Sequence, residues 1–118
     1  MPVVLILDDR ITNRSVYARL AASVEEDVRV EVFADPHEAL AWIDQNQVDL
    51  IITDYKMPRL DGAQFTQEVR RRANGADVPI VVITVYNDRS FRLRALEAGA
   101  TDFLLSPVDH FEFVSYTH

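Results

Sequence analysis

The sequence predicts an α/β fold in which five parallel strands form one doubly wound sheet with helices on both faces. Three observations carry that expectation. Short apolar runs alternate with helix-like stretches five times along 118 residues, the pattern of repeated strand–helix–strand crossovers. Three of the runs, "VVLIL" (Val3–Leu7), "DLIIT" (Asp49–Thr53) and "PIVVIT" (Pro79–Thr84), are unbroken and rich in Val and Ile, as strands are when both faces of a parallel sheet are covered. The segments between them repeat apolar residues at helical spacing and begin on capping residues.

The first strand leads through Asp8 and Asp9 into a helix expected near Arg10 to Ala22, with Val16, Leu20 and Val24 at helical spacing. "VRVEVF" (Val28–Phe33) alternates polar with apolar residues, the mark of a more exposed strand. In "DPHEALAWI", Asp35 reads as N-cap, Pro36 as the first helical residue and Glu38, three residues on from Asp35, as its capping-box partner. Ala39, Leu40 and Ile43 give that second helix its apolar face. A third helix runs from Ala63 to Arg72, with Phe65 and Val69 four apart; Asn87 or Asp88 caps a fourth, through Phe91, Leu93 and Leu96 to Gly99. "TDFLLS" (Thr101–Ser106) is a short mixed strand, and a fifth helix starts near Asp109. The three oily strands belong in the middle of the sheet, the second and fifth at its edges. This is the flavodoxin-like (βα)5 arrangement, strand order 2-1-3-4-5, whose ligands bind beyond the carboxyl ends of the strands at the switch point between strands one and three.

Composition narrows the function classes. The chain is 48% hydrophobic and 26% charged, a soluble globular balance in one domain large enough to bury its own core. It contains no cysteine, so disulfides, thiolate metal sites and cysteine nucleophiles are excluded. No apolar run reaches membrane-spanning length, and Met1-Pro2-Val3 shows no signal-peptide pattern, so a cytoplasmic protein is expected. A net charge of −7 repels phosphate backbones and argues against direct nucleic-acid binding. The basic run Arg70-Arg71-Arg72 reads as the solvated end of a helix, where cations suit the dipole.

The strand ends carry the chemistry. Strand one ends on Asp8 and Asp9, strand three on Asp54, strand four on Thr84 and strand five on Ser106. Taken singly, an aspartate after a strand is more often a helix cap than a ligand. Together the predicted topology brings three carboxylates and two hydroxyls to one region. Carboxylates packed so closely repel one another, and a hard divalent cation relieves that repulsion. An all-oxygen donor set favours Mg²⁺ over zinc or copper.

The Asp8-Asp9 pair, "DYKMPRLDG" (Asp54–Gly62), Thr84 and "EAGATDFLLSPV" (Glu97–Val108) resemble the receiver domains of two-component response regulators. The resemblance covers nearly the whole chain, and the intervals fit: thirty residues from Asp54 to Thr84, twenty-two from Thr84 to Ser106. It implies that Asp54 is the phosphoacceptor for a sensor histidine kinase, a phosphotransfer protein or a small phosphodonor. It implies a Mg²⁺ site made by Asp9, Asp54 and the Lys56 backbone carbonyl, with Asp8 nearby or acting through water. Thr84 would hydrogen-bond the phosphoryl group, Phe103 would be the aromatic switch, and Pro58 and Gly62 would shape the loop after Asp54. The implied domain catalyses at most its own phosphorylation and dephosphorylation. Its output and homodimer surface would be the face of the fourth helix, fifth strand and fifth helix, with Phe111, Phe113 and Tyr116 as contributors. The expected organisation is one receiver domain over residues 1–118, a fragment of a longer regulator with its last helix truncated and its output domain absent. "DYKMP" and "ITVYND" are also similar to stretches of receivers attached to HD-GYP-type cyclic-dinucleotide phosphodiesterases.

Two positions depart from the family's pattern. Receivers usually carry a lysine before the proline that follows strand five, and here Ser106 stands there. A charged hydrogen bond is worth roughly 1.5–3 kcal/mol against about 1 for a neutral one, so a penalty of up to about two powers of ten is expected in phosphorylation or signalling. Lys56 and Arg89 are the replacement cations that the sequence offers. The other departure is Val85, in place of the small residue that commonly follows the threonine, and it would narrow access to the phosphoryl group. Ser106 also leaves open a phosphorylation-independent pseudo-receiver that works as a dimerisation or docking module. A Mg²⁺-dependent phosphohydrolase would need a general acid or base and a substrate-covering insert, and neither is visible.

Overall fold

A computed structural model of the chain describes residues 2–10, 18–19 and 27–105. Its strands are β1 (Val3–Leu7), β2 (Arg29–Phe33), β3 (Leu50–Asp54), β4 (Ile80–Thr84) and β5 (Asp102–Leu105). All pair in parallel, in the order β2-β1-β3-β4-β5. The three unbroken apolar runs do take the centre, and the alternating and mixed strands take the edges. β3 and β4 are buried along their whole length, whereas β2 is half-buried or exposed throughout.

Between the strands lie helices α1 (Pro36–Gln45), α2 (Gly62–Arg70) and α3 (Arg89–Glu97), with a 3-10 turn at Ala73–Gly75. The strict alternation of side chains along each strand divides the core into two layers. Leu5, Leu7, Ile51, Ile80 and Val82 pack with Leu40, Ile43, Phe65, Val69 and Ala95 of the three helices. Val4, Ile6, Leu50, Ile52, Val81 and Ile83 form the layer on the other face, against which Ala18 packs. Ala18 and Arg19 are helical, in the middle of the first predicted helix. The rest of that helix and the fifth helix expected from Asp109 lie outside the described residues.

The caps explain where the helices begin and end. Asp35 accepts the His37 N–H at 2.8 Å, with Pro36 first in the helix. The reciprocal capping box, however, is built at α2, where Asp61 and Gln64 exchange bonds of 2.8 and 2.9 Å. Asp88, not Asn87, caps α3. That helix ends in a Schellman turn: Gly99 adopts φ +110, and Gly99 and Ala100 N–H donate to the Leu96 and Ala95 carbonyls. α3 buries Ala95 and half-buries Phe91 and Ala98, one stripe at helical spacing, while Leu93 and Leu96 of the expected apolar face are exposed.

The basic run at the end of α2 is more than a solvated cluster. Arg70 aims inward and holds two loops together, the connection between α2 and β4 and the turn after α3. Its Nε and Nη2 donate to the Gly99 carbonyl at 3.0 and 2.8 Å, and its Nη1 donates to the Gly75 and Val78 carbonyls at 2.8 and 2.6 Å. Burial lowers its pKa from the ordinary arginine value, with Asp77 opposing. Arg72 pairs with Asp44 at 2.9 Å, and of the three arginines Arg71 alone is exposed, paired with Glu68 at 2.7 Å. Arg70→Met is therefore expected to lower unfolding free energy by about 2–4 kcal/mol in a urea titration, because it strands three carbonyls. Arg71→Met should shift it by less than about 0.5 kcal/mol; equal effects would show that Arg70 is no tie.

Candidate functional site

The parallel register places the site. Leu7 lies opposite Thr53 and Asp54 opposite Ile83, so the residues that follow β1, close β3 and end β4 emerge side by side at one rim. Asp8 leaves β1 still anchored, its N–H bonded to the Phe33 carbonyl at 3.1 Å, and its side chain is fully buried. Asp8 Oδ1 accepts the Arg10 N–H at 2.8 Å, an Asx turn that reverses the chain. Asp9 beside it is exposed. Asp54, the last residue of β3, is 2% exposed. Each of Asp8, Asp9 and Asp54 offers a carboxylate oxygen, and the three oxygens lie within 4.8 Å of one another.

Asp54 is held at both oxygens. Oδ1 accepts the Tyr55 N–H at 2.8 Å, and Oδ2 accepts Nη2 of Arg10 at 2.7 Å. Its pKa is nevertheless raised to about 6: burial and the charge of Asp8 push it up, and Arg10 and the Tyr55 N–H only partly pull it back. The Arg10 guanidinium is itself held above its ordinary value, since Asp54 and Asp8 outweigh its partial burial. Its Nε lies 3.7 Å from Asp8, so one cation spans two of the three acids.

The loop after β3 is shaped by tight approaches. The Thr53 hydroxyl donates to the Asp54 carbonyl at 3.0 Å, and the Gly62 N–H donates to the Tyr55 carbonyl at 2.7 Å. Gly62 is required for space rather than for backbone freedom. A Cβ there would stand 2.8 Å from the Asp54 carbonyl oxygen and 2.9 Å from the Tyr55 Cα. The residue in the left-handed region is Arg59, φ 76, just after Pro58, and its guanidinium pairs with Asp35 at 3.1 Å.

Thr84 ends β4, buried, with its Oγ1 accepting the Tyr86 N–H at 3.2 Å. Phe103 on β5 is turned inward, 5% exposed, and meets Tyr55 edge-on at 6.2 Å. Tyr55 stacks on Phe91 at 4.4 Å. Val85 is half-exposed. Of the two replacement cations read from the sequence, the Lys56 ammonium lies over the Tyr86 ring, 4.7 Å from its centroid, and Arg89 stands exposed at the start of α3. Ser106, Phe111, Phe113 and Tyr116 lie outside the described residues. Sequence reading missed Arg10 as a member of the site. The available signal was a cation directly behind the Asp8-Asp9 pair. The residue was assigned to a helix instead of to the strand-end loop it occupies.

Three carboxylate oxygens this close, with no sulfur or imidazole among them, fit a hard divalent cation of the Mg²⁺ type. No helix among the described residues is long and apolar enough to cross a membrane.

Comparison with known proteins agrees with this geometry. The family model "Response regulator receiver domain" matches residues 4–117. The chain is 37% identical over 105 residues to the cyclic di-GMP phosphodiesterase response regulator RpfG of Xanthomonas campestris pv. campestris (strain 8004), a match covering 89% of this chain but 28% of RpfG. It is 36% identical over 107 residues to the two-component response regulator ORR3 of Oryza sativa subsp. japonica, covering 91% of this chain and 81% of ORR3. The response regulator MprA of Mycobacterium sp. (strain KMS) is 38% identical over 109 residues, and the chain spans 45% of it. Among solved structures, the receiver domain of sensor histidine kinase PA1611 from Pseudomonas aeruginosa PAO1, with a magnesium ion coordinated in its active site cleft, superposes with TM-score 0.84. The two are 30% identical, over 95% of this chain and 90% of that one. Chemotaxis response regulator CheY4 of Vibrio cholerae gives TM-score 0.84 at 30% identity, over 99% and 95%.

The raised pKa has a consequence for stability. Asp54 binds a proton more readily in the folded chain than in the unfolded one, so its ionisation costs folding energy above about pH 6. That cost shrinks as pH falls towards the ordinary carboxylate value. With metal chelated, Asp54→Asn is expected to stabilise the fold by about 1–3 kcal/mol near pH 7.5 and by clearly less near pH 5. An equal gain at both pH values would show that the charge is not the source.

Proposed function

The chain belongs to the response regulator receiver domain family, a signalling domain, and we propose that it accepts a phosphoryl group on Asp54 in a Mg²⁺-dependent reaction and switches its partners' interactions. The observation that carries this reading is the buried Asp54 carboxylate, raised to a pKa of about 6 and grouped with Asp8 and Asp9 at the switch point of the sheet. Such a carboxylate is ionised at neutral pH yet more basic than an ordinary one, which suits a nucleophile.

Asp8, Asp9, Asp54 and the Lys56 carbonyl would hold the metal, which supplies Lewis-acid charge to the transferring oxygens. The remaining work falls to the chain itself. An Asp54 oxygen attacks the phosphorus of a phosphohistidine or an acyl phosphate, and a new O–P bond forms. The donor's P–N or P–O bond breaks, and the leaving group keeps the electron pair. The Thr84 Oγ1 accepts the Tyr86 N–H, which leaves the hydroxyl proton to donate to a phosphoryl oxygen. Such transfers ask mainly for alignment and charge, and the backbone bond from Tyr55 to Asp54 Oδ1 aligns the nucleophile.

The phosphodonor would be a sensor histidine kinase or phosphotransfer protein, with the reaction taking place in the cytoplasm. Leu93 and Leu96 on α3 and Leu105 on β5 are exposed apolar residues, and they support this face as the surface for an output domain, a partner or a second copy. This chain spans 28% of the length of the phosphodiesterase response regulator RpfG.

Incubation with Mg²⁺ and acetyl phosphate, followed by intact-mass measurement, tests the reading. A single phosphoryl adduct is expected, absent from Asp54→Asn and absent with chelator. No adduct, even with a matched histidine kinase, would overturn it in favour of a pseudo-receiver that signals by binding alone.

A further inference from the structure

We propose that Arg10 is the phosphoryl-binding cation of this site: it neutralises Asp54 before transfer and moves to the phosphoryl oxygens afterwards. The inference deepens the phosphoacceptor reading and rests on it. Its basis is where the cations of the site stand. Arg10 Nη2 lies 2.7 Å from Asp54 Oδ2, and Arg10 Nε lies 3.7 Å from Asp8 Oδ1. The guanidinium therefore sits directly on an oxygen of the proposed nucleophile.

The other candidates are committed elsewhere or carry no charge. Lys56 lies over Tyr86 at 4.7 Å and 5.8 Å from the Phe91 centroid, a cation–π arrangement that a move to the acids would give up. Arg89 is on the exposed first turn of α3. Position 106 supplies a serine hydroxyl and no charge.

Transfer changes the charge at Asp54. Its carboxylate becomes a neutral acyl oxygen, and a group of close to two negative charges appears one bond further out. Asp8 and Asp9 remain. A cation that neutralised the carboxylate then has a stronger attraction just beyond it. Arg10 is nearly half-exposed and bound at its guanidinium tip, so the side chain can follow the charge outward by rotating about its own bonds. Its planar fork also matches two phosphoryl oxygens, a geometry that a lysine lacks. The backbone Asx turn of Arg10 to Asp8 keeps its Cα in place while the tip moves.

The test separates binding of the phosphoryl mimic from binding of the metal. Calorimetric titrations of Mg²⁺ alone, then of beryllofluoride at saturating Mg²⁺, are made on the unsubstituted chain, Arg10→Gln, Arg10→Lys and Asp54→Asn, with thermal melts to confirm folding. Arg10→Gln is expected to weaken beryllofluoride about 10- to 100-fold while Mg²⁺ binds as well or better, because a like charge has gone. Arg10→Lys should recover part of the loss. If both variants bind beryllofluoride as tightly as the unsubstituted chain, Arg10 is only a counter-ion to the carboxylates and the proposal fails. A parallel loss of Mg²⁺ and beryllofluoride affinity overturns it too, since Arg10 would then be shaping the metal site. An unsubstituted chain that binds Mg²⁺ but no beryllofluoride would instead sink the phosphoacceptor reading, and this proposal with it.

Discussion

Three carboxylate oxygens within 4.8 Å of one another, two of them on buried residues, are the constraint around which the rest of the site is arranged. Like charges at that distance in a low-dielectric pocket repel strongly. The sheet holds them there because β1 and β3 are neighbours whose register lets Asp8 and Asp54 leave the same rim. The pKa of Asp54 is raised by its burial and, after that, by the charge of Asp8. Arg10 offsets part of that rise, and a divalent cation would offset more. Gathering these charges costs the fold stability above the raised pKa of Asp54.

Tyr55 links the site to the aromatic core. Tyr55 follows Asp54, and its N–H orients Asp54 Oδ1. Its ring, buried, stacks on Phe91 of α3 and touches the edge of Phe103 on β5. Phe91 in turn meets Tyr86, over which the Lys56 ammonium lies. A shift of Asp54 or Thr84 would therefore be felt along an aromatic chain that ends on α3 and β5. Phe103 is inward in this arrangement, so a rearrangement on phosphorylation would have to work on packing already formed.

The loop that bears Tyr55 is braced from beneath. Gly62 lets α2 begin against the Asp54 and Tyr55 backbone, where a methyl group would collide. Asp61 and Gln64 close that helix start, and Arg70 at its other end ties Gly75, Val78 and the Gly99 turn after α3. The helix thus serves as a strut between the acid-bearing loop and the face that carries Leu93, Leu96 and Leu105.

The residues that could be read without a structure are those whose role follows from periodicity or from position at an element's end. Unbroken Val/Ile runs mark strands buried on both faces, so strand order followed from composition, and with it the meeting of Asp8, Asp9 and Asp54. The Asp35 cap was legible because an N-cap is a local hydrogen bond, and for the helix from Arg89 the same rule narrowed the cap to Asn87 or Asp88. Tertiary structure decided what depends on reach. Arg10, Arg70 and Lys56 are all long cations that look alike in a sequence, yet one spans two acids, one bridges two loops and one lies on an aromatic ring. Which it becomes is set by the neighbours within the length of a side chain, and those neighbours come from distant parts of the chain. The same holds for Gly62, whose φ is unexceptional and whose need for a bare Cα arises only when α2 docks on Asp54. Sequence by itself determined the sheet, the acids and their convergence, because local periodicity and the rules of parallel connection suffice for these. Only the folded packing decided which cation serves the acids and how the site is braced, because a flexible side chain has no partner until the fold supplies one.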